Sequence, residues 1–418
     1  MTFSDLLPPF EQRGMDLCLD RMVRALKTLN QPCGSIPAVQ VIGTNGKGSI
    51  ATFVHSGLVA AGIRTGLTTS PHLVDWTERI RVDHQQISHS RLREELVALQ
   101  PLAKAEALTP FELLITAALM HFAAEKVNWL VLEAGLGGRL DATTAHPHRP
   151  LLAVASIGLD HCEHLGGTLT AIAEEKAAAI QTGAIVISAD QPPEVAAVLQ
   201  QRCTQIGATL SWVAPLSSDW ILGLDGHVQR SNAAVAKAVL EQIQAMGWEL
   251  DHASIRNGLA TAHWPGRLQA MTWRNHAVLI DGAHNPPAAE ALSQERHHWP
   301  HAQEGITWIL AIQSHKQAPA MLRALLHPQD QAWILPVPGH RSWTRAMLIR
   351  DTPTWSGQLL ELPEQPNNPD SSQAVVNVLE RLEQQGWPKA DPVIAGSLYL
   401  LGALINEGRL APSRTSMN

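Results

Sequence analysis

Residues 39–49 read Val-Gln-Val-Ile-Gly-Thr-Asn-Gly-Lys-Gly-Ser, a mostly apolar run that stops at a glycine-rich turn with one lysine and one serine. Such a turn can do phosphate chemistry. Glycines let backbone N–H groups approach phosphate oxygens, a following helix N-terminus favours negative charge, and Lys47 adds a point charge. The Ser49 hydroxyl is then placed to ligate Mg²⁺. The strict pattern requires a glycine at position 41, where this chain has Val41. What remains is a compact variant, Gly-Thr-Asn-Gly-Lys-Gly-Ser, and its plain alternative is a glycine-rich turn that binds nothing.

Five further groups carry possible chemistry. Glu133 closes an apolar run and is followed by Ala-Gly-Leu-Gly-Gly-Arg-Leu-Asp141-Ala-Thr143. A carboxylate at the carboxyl end of a strand either holds a metal on substrate phosphates or caps a loop. Asp160 and His161 follow another apolar run, and His161 suits metal or acid–base work, although a loop histidine among 20 is more often just solvated. Lys176, within Ala-Glu-Glu-Lys-Ala, reads by itself as one charge on a solvated helix face. In the second half, Asp281-Gly-Ala-His284-Asn-Pro again ends a strand pattern, which suits ribose or phosphate contacts or an ordinary Asp-Gly turn. Arg267, after Trp-Pro-Gly, is an isolated cation near a pattern break, fit for a phosphate clamp or a simple ion pair.

The elements that must carry these residues alternate. Strand-like runs at 39–42, 129–133, 151–157 and 184–188 interleave with helical patterns at 50–61, 110–126, 168–180 and 193–206. Residues 207–230 read as short strands and turns, followed by helices near 232–246 and 251–261. A second series has strands at 276–281, 306–312, 332–336 and 392–396, with a helix after Gly396 and a surface loop at 361–370. Alternation of this kind predicts α/β architecture with mainly parallel sheets. The expected division is an ATP-binding domain over 1–270 and a Rossmann-like domain over 271–418.

Composition narrows the field. At 418 residues the chain exceeds one ordinary core, and its 17% charged and 45% apolar residues are those of a globular protein. A net charge of −7 without a basic cluster argues against nucleic acid. The four cysteines show no paired short spacing, so a reducing compartment is expected. The start, Met-Thr-Phe-Ser-Asp-Leu-Leu-Pro-Pro, lacks a secretion pattern, and no apolar run reaches the ~18 residues of a membrane span. The expectation is a cytoplasmic protein without membrane partners. Thirteen tryptophans against one tyrosine have no functional account.

In order along residues 15–402, the chain resembles the folylpolyglutamate synthase/dihydrofolate synthase family of the Mur ligase superfamily. The matching segments are 43–49, Thr-Ser-Pro-His-Leu at 69–73, Glu-Arg-Ile at 78–80 and Glu133 through Thr143. Gly-Leu-Asp-His with Leu-Gly at 158–166 follows, then Ile-Ala-Glu-Glu-Lys at 172–176 and Asn-Ala-Ala at 232–234. The series ends with Trp-Pro-Gly-Arg-Leu at 264–268, Asp-Gly-Ala-His-Asn-Pro at 281–286 and Gly-Ser-Leu-Tyr-Leu at 396–400.

The resemblance implies a Mur-ligase-like ATPase domain with a mainly parallel sheet, plus a C-terminal Rossmann-like domain. It implies that ATP and Mg²⁺ are the cofactors, with Thr44, Asn45, Gly46, Lys47, Gly48 and Ser49 forming the phosphate loop. Ser49, Glu133, His161 and a carbamylated Lys176 would be metal ligands, and Lys47, His161 and Lys176 the catalytic set. Asn232 would contact adenine, Asp281 the ribose, and Arg267 and His284 the phosphates. Ser70, Pro71, His72 and Asp141 would lie near the pterin substrate. The implied reaction joins glutamate to dihydropteroate or a reduced folate through an acyl phosphate, in a monomer with small-molecule substrates only.

Three departures stand out. The two acidic residues that flank Lys316 in many relatives are His315 and Gln317 here, the usual Asn after Asp-Ala-Thr is Thr144, and Ala178 follows the Lys176 segment where glycine is common. One rival is a Mur-type peptidoglycan ligase, but only 42 residues precede Gly43, too few for the expected extra domain. Another is a nucleotide-binding protein that has lost catalysis.

Overall fold

A computed structural model describes residues 3–7, 16–363 and 370–413. The chain folds as two units. The first comprises Met1–Gly223 and Val228–Trp264, and the second comprises Leu224–His227 and Pro265–Asn418.

The first unit is built on eight strands: β1 (Ala38–Ile42), β2 (Thr65–Thr68), β3 (Ile80–Val82), β4 (Gln85–Gln86), β5 (Trp129–Glu133), β6 (Leu151–Val154), β7 (Ile185–Ala189) and β8 (Thr209–Val213). Their order is β4-β3-β2-β5-β1-β6-β7-β8. All neighbours are parallel except the β2–β3 and β3–β4 pairs. Central strands covered on both faces must be apolar throughout, and β1, β5 and β6 are fully buried. Gln40 in β1 breaks that rule and is explained below.

The helix Lys47–Ala60 follows β1 and is buried over most of its surface. It packs on the helix His252–Thr261 at two glycines. A Cβ on Gly258 would stand 2.4 Å from Gly57 Cα, so only glycine permits this crossing. The helix Pro110–Ala124 starts with a capping box between Thr109 and Glu112. Glu112 also pairs with buried Arg21 at 2.7 Å.

The second unit holds seven strands: β9 (Gln269–Trp273), β10 (His276–Ile280), β11 (Thr307–Ala311), β12 (Gln331–Leu335), β13 (Leu359–Leu360), β14 (Val393–Ala395) and β15 (Ala411–Pro412). Their order is β13-β12-β11-β14-β10-β9-β15. The β9 strand runs antiparallel to both its neighbours, and the remaining pairs are parallel. Its core gathers Trp308, Leu310, Met321, Leu322 and Val393.

Several expectations need adjustment. Only 209–213 of the 207–230 region forms a strand. The part around Trp220 is turns, since Pro215, Asp219, Gly223 and Gly226 punctuate it. The helix His89–Glu106, capped by Ser88, and the β3–β4 hairpin were absent from the sequence reading. A boundary at residue 270 would cut β9, and the switch between units lies at Trp264–Pro265. Of the loop expected at 361–370, residues 364–369 lie outside the described residues.

Candidate active site

Ligand sites in parallel α/β sheets open beyond the carboxyl ends of the strands. In the first unit four such ends lie side by side. Val41 pairs with Glu133, Thr68 with Leu132, and Ile42 with Val154. The loops after β1, β2, β5 and β6 therefore share one edge, and they carry residues 43–49, Ser70, Glu133 and His161.

The phosphate loop is pinned from behind. Thr44 N donates to Ser156 O at 2.7 Å, and Thr44 Oγ1 donates to Gly158 O at 3.0 Å. Gly46 adopts a φ of +90°, open to glycine but strained for other residues. A Cβ there would stand 2.6 Å from Asn232 Oδ1. Asn232 is thus brought against the loop, with its Nδ2 donating to Gln229 Oε1 at 3.0 Å. A Cβ on Gly48 would meet the Trp264 indole at 2.8 Å, so that ring covers the helix's first turn. Lys47 Nζ donates to the loop carbonyls of Gly43 (3.2 Å) and Thr44 (3.1 Å), and Ser49 is buried beside it.

Glu133 is buried at the end of β5, and its Oε2 accepts from Ser70 N at 2.9 Å. That bond joins the metal candidate to the Ser70–Pro71 loop, whose linking peptide is cis. His72 accepts at Nδ1 from Arg79 Nε at 2.8 Å. Burial, with Arg79 beside it, pushes its pKa down to about 4, so the ring is neutral near pH 7.

Lys176 is not on a solvated face. It is 3% exposed, near the end of the helix Leu169–Ala177, and its Nζ donates to Gly43 O at 2.8 Å. Burial and the neighbouring charge of Lys47 lower its pKa to about 7. A Cβ on Gly138 would stand 2.6 Å from Lys176 O, so the glycine-rich loop lies directly on the lysine's backbone. His161 takes a left-handed backbone (φ +51°) and stands 3.8 Å from Asp160.

Asp141 is buried and ties its own loop together. Oδ2 accepts from Gly135 N (2.8 Å) and Leu136 N (3.0 Å), and Oδ1 from Thr143 N (2.9 Å) and Thr143 Oγ1 (2.6 Å). Burial raises its pKa despite those donors. Its geometry is that of a loop organiser.

Gln40 lies beneath this loop. Its Nε2 donates to Thr143 Oγ1 (2.9 Å) and Thr144 Oγ1 (2.8 Å), and Thr144 Oγ1 donates to Gly138 O at 2.7 Å. Arg149 completes the set, donating to Gln40 Oε1 at 2.5 Å and to Ala179 O at 2.6 Å. Neither Gln40 nor Arg149 stood out in the sequence. The one available signal was a glutamine inside an otherwise apolar strand.

Ser49 and Glu133 supply hard oxygen donors, the chemistry Mg²⁺ selects. Among the described residues no cluster of three or more His, Cys, Asp or Glu forms a ready-made metal cage. That fits an ion that keeps waters and substrate phosphates in its shell. An unmodified Lys176 ammonium is a donor only and cannot ligate.

In the second unit Asp281 is half-buried. Its oxygens accept from Leu268 N (2.8 Å) and Ala283 N (2.7 Å), and burial raises its pKa against the nearby charge of Arg267. Arg267 Nη1 lies 2.9 Å from where a Cβ on Gly282 would be, and His284 Nδ1 is 2.7 Å from Gly282 O. Arg267, Asp281 and His284 are therefore neighbours within that unit. The altered segment at 313–317 is bound to its own surroundings, with Ser314 N donating to Arg341 O and Trp343 Nε1 donating to Lys316 O.

Comparison with known proteins gives consistent results. A family model described as dihydrofolate synthetase, C-terminal domain, matches residues 266–407. The dihydrofolate synthetase of Saccharomyces cerevisiae is 31% identical over 94% of this chain and 98% of its own length. The structure of Mycobacterium tuberculosis folylpolyglutamate synthase complexed with ADP superposes with a TM-score of 0.85 at 28% identity, covering 97% of both chains. The bifunctional folylpolyglutamate synthase/dihydrofolate synthase of Yersinia pestis, complexed with AMPPNP and Mn ion, gives 0.78 at 26% identity, over 94% of each chain. The chain belongs to the dihydrofolate synthase/folylpolyglutamate synthase family, ATP-dependent ligases that join glutamate to folates.

Proposed function

We propose that this enzyme adds L-glutamate to dihydropteroate and to tetrahydrofolate, using residues 43–49, Glu133, His161 and Lys176 as its phosphoryl-transfer centre. The observation that carries this reading is the convergence at one sheet edge. The phosphate loop, Glu133 and a buried Lys176 meet there, with Lys176 Nζ 2.8 Å from Gly43 O. A lysine held half-neutral near pH 7 is reactive toward CO₂, and the resulting carbamate converts a donor into an oxygen ligand.

Ser49, Glu133, His161 and the carbamate of Lys176 would hold Mg²⁺, which supplies charge neutralisation on the phosphates. Backbone N–H groups of 44–49 and the Lys47 ammonium cradle the β- and γ-phosphates. A carboxylate oxygen of the pterin substrate attacks the γ-phosphorus, and ADP leaves. The amine nitrogen of glutamate then attacks the acyl carbon. Phosphate leaves with the acyl oxygen, and the amine proton goes to solvent.

Asn232 is proposed for the adenine side, and Arg267, Asp281 and His284 for the phosphates and ribose. Ser70, Pro71 and neutral His72 are proposed for the pterin, with Asp141 acting through the loop it organises. A net charge of −7 supports small-molecule substrates over nucleic acid, and the family supports a cytoplasmic monomer.

The test is direct. Purified protein with ATP, Mg²⁺, glutamate and either dihydropteroate or tetrahydrofolate is followed for phosphate release and product mass. Each pterin is expected to gain one glutamate per phosphate released. Absence of glutamate-dependent turnover on one pterin would remove that acceptor from the proposal, and absence on both would end it.

A further inference from the structure

Buried guanidinium groups are normally paired, because desolvating an unpaired charge is costly. Arg81 on β3 departs from that rule. It is largely shielded from solvent, and its side chain makes no hydrogen bond or ion pair to any described residue. Its Nε is fully buried without a partner. Glu78, the acid whose charge it feels, is already committed to the backbone N–H groups of Leu73, Val74 and Asp75. Arg79, two residues earlier, shows the contrast, being engaged with His72 and stacked on Trp76.

The position of Arg81 is specific. It pairs across the ladder with Leu67, and its charge reaches His55 on the phosphate-loop helix and His263. Its guanidinium lies 6.0 Å above the Trp264 ring. The same indole covers Gly48 in the first turn of that helix. Arg81 is therefore one aromatic ring away from the phosphate loop, and among the described residues it makes no ion pair.

We infer that Arg81 binds a substrate carboxylate, with the Trp264 ring lying between its guanidinium and the phosphate loop. The inference rests on the ligase reading above. A planar fork of donors matches a carboxylate in two parallel hydrogen bonds, and no described residue occupies that fork in Arg81. The phosphates already have Lys47 and the loop N–H groups. The reaction also brings in carboxylates that are not phosphorylated: both of those on free glutamate, and the α-carboxylate of a folate that already carries glutamate. Dihydropteroate has no such spare carboxylate, so Arg81 would help separate the two acceptors if the folate group is its ligand.

Steady-state kinetics of wild type, Arg81→Leu and Arg81→Lys decide the matter, with ATP, glutamate, tetrahydrofolate and dihydropteroate varied in turn. The expected result for Arg81→Leu is a rise of about tenfold to a hundredfold in one carboxylate KM, with the KM for ATP unmoved. A rise for glutamate identifies the incoming amino acid as ligand. A rise for tetrahydrofolate but not dihydropteroate identifies the acceptor's α-carboxylate. The Arg81→Lys variant, which keeps the charge without the fork, is expected to show a smaller rise in the same KM, and it carries the test if Arg81→Leu does not fold. Without substrates, Arg81→Leu is expected to melt no lower than wild type, since it removes a half-buried charge that makes no ion pair among the described residues. Unchanged carboxylate KM values, a shift confined to ATP, or a lower melting temperature with unchanged KM would overturn the inference. Wild-type turnover in the same assay separates its failure from failure of the ligase reading.

Discussion

A lysine buried beside another lysine can lower its energy by releasing its proton or by becoming an anion. Lys176 sits 2.8 Å from a carbonyl that prefers a donor, while Lys47 and burial disfavour its charge. The prediction is that Lys176→Ala lowers glutamate-dependent turnover by about a hundredfold or more, and that Lys176→Glu restores part of it. Phosphate release measures the turnover, and ¹³C-labelled bicarbonate reports the carbamate independently, with a signal expected in wild type and absent from both variants. An active Lys176→Ala enzyme would refute the carbamate. In the sequence this lysine was one charge in Glu-Glu-Lys-Ala, and only its order among other motifs gave it a role. Burial made by a distant loop leaves no local trace. Arg81 was equally silent, because an arginine lacking its anion looks like any other arginine until its neighbours are known.

Secondary elements set these residues in place, and one buried network links three of them. Gln40 of β1 donates to Thr143 and Thr144, accepts from Arg149, and through Thr144 braces Gly138 against Lys176. We predict that Gln40→Leu destabilises the fold by about 3 kcal/mol, since Arg149 and two threonines lose a buried partner. Urea denaturation measures that loss. Turnover should fall more than stability alone explains, and Thr144→Ala should repeat the effect more weakly. Unchanged stability would show that the network relaxes freely. At this scale the apolar runs were legible. The strand at 129–133 and the helix at 193–206 lie where their patterns indicated. Short strands such as β3, β4 and β15 were not, since two or three residues hold too little periodicity to read. Gln40 was hidden for the opposite reason. The strand pattern survives one polar residue, and nothing local reveals that Arg149, 109 positions away, satisfies it.

Across the whole molecule, the two units should respond differently to acid. In the first unit His55 and His146 are buried and His72 is half-buried, each with its pKa lowered to about 4. Burial is the leading cause in all three. In the unfolded chain these rings take up protons as pH falls through about 6.5, whereas in the native state they stay neutral until about 4. The unfolded state then binds more protons, so stability must fall as pH drops across that window. Each ring contributes at most about 3 kcal/mol. Buried Asp141, in the same unit, has a raised pKa and pulls the other way at the acid end, because its native form takes up a proton first. In the second unit, raised Asp281 acts in that same opposing sense. Lowered Asp330, held by Arg296 at 2.9 Å, loses its contribution only below the ordinary carboxylate range. Calorimetry between pH 7 and pH 5 is therefore expected to move the first unit's transition to lower temperature while the second unit's transition stays nearly fixed. Replacing His55, whose Nε2 meets Asp83 O at 2.6 Å, with Gln should reduce the slope of the first transition, since an amide can keep that bond without titrating. Equal movement of both transitions, or a slope unaffected by His55→Gln, would show that these buried rings do not govern the acid response.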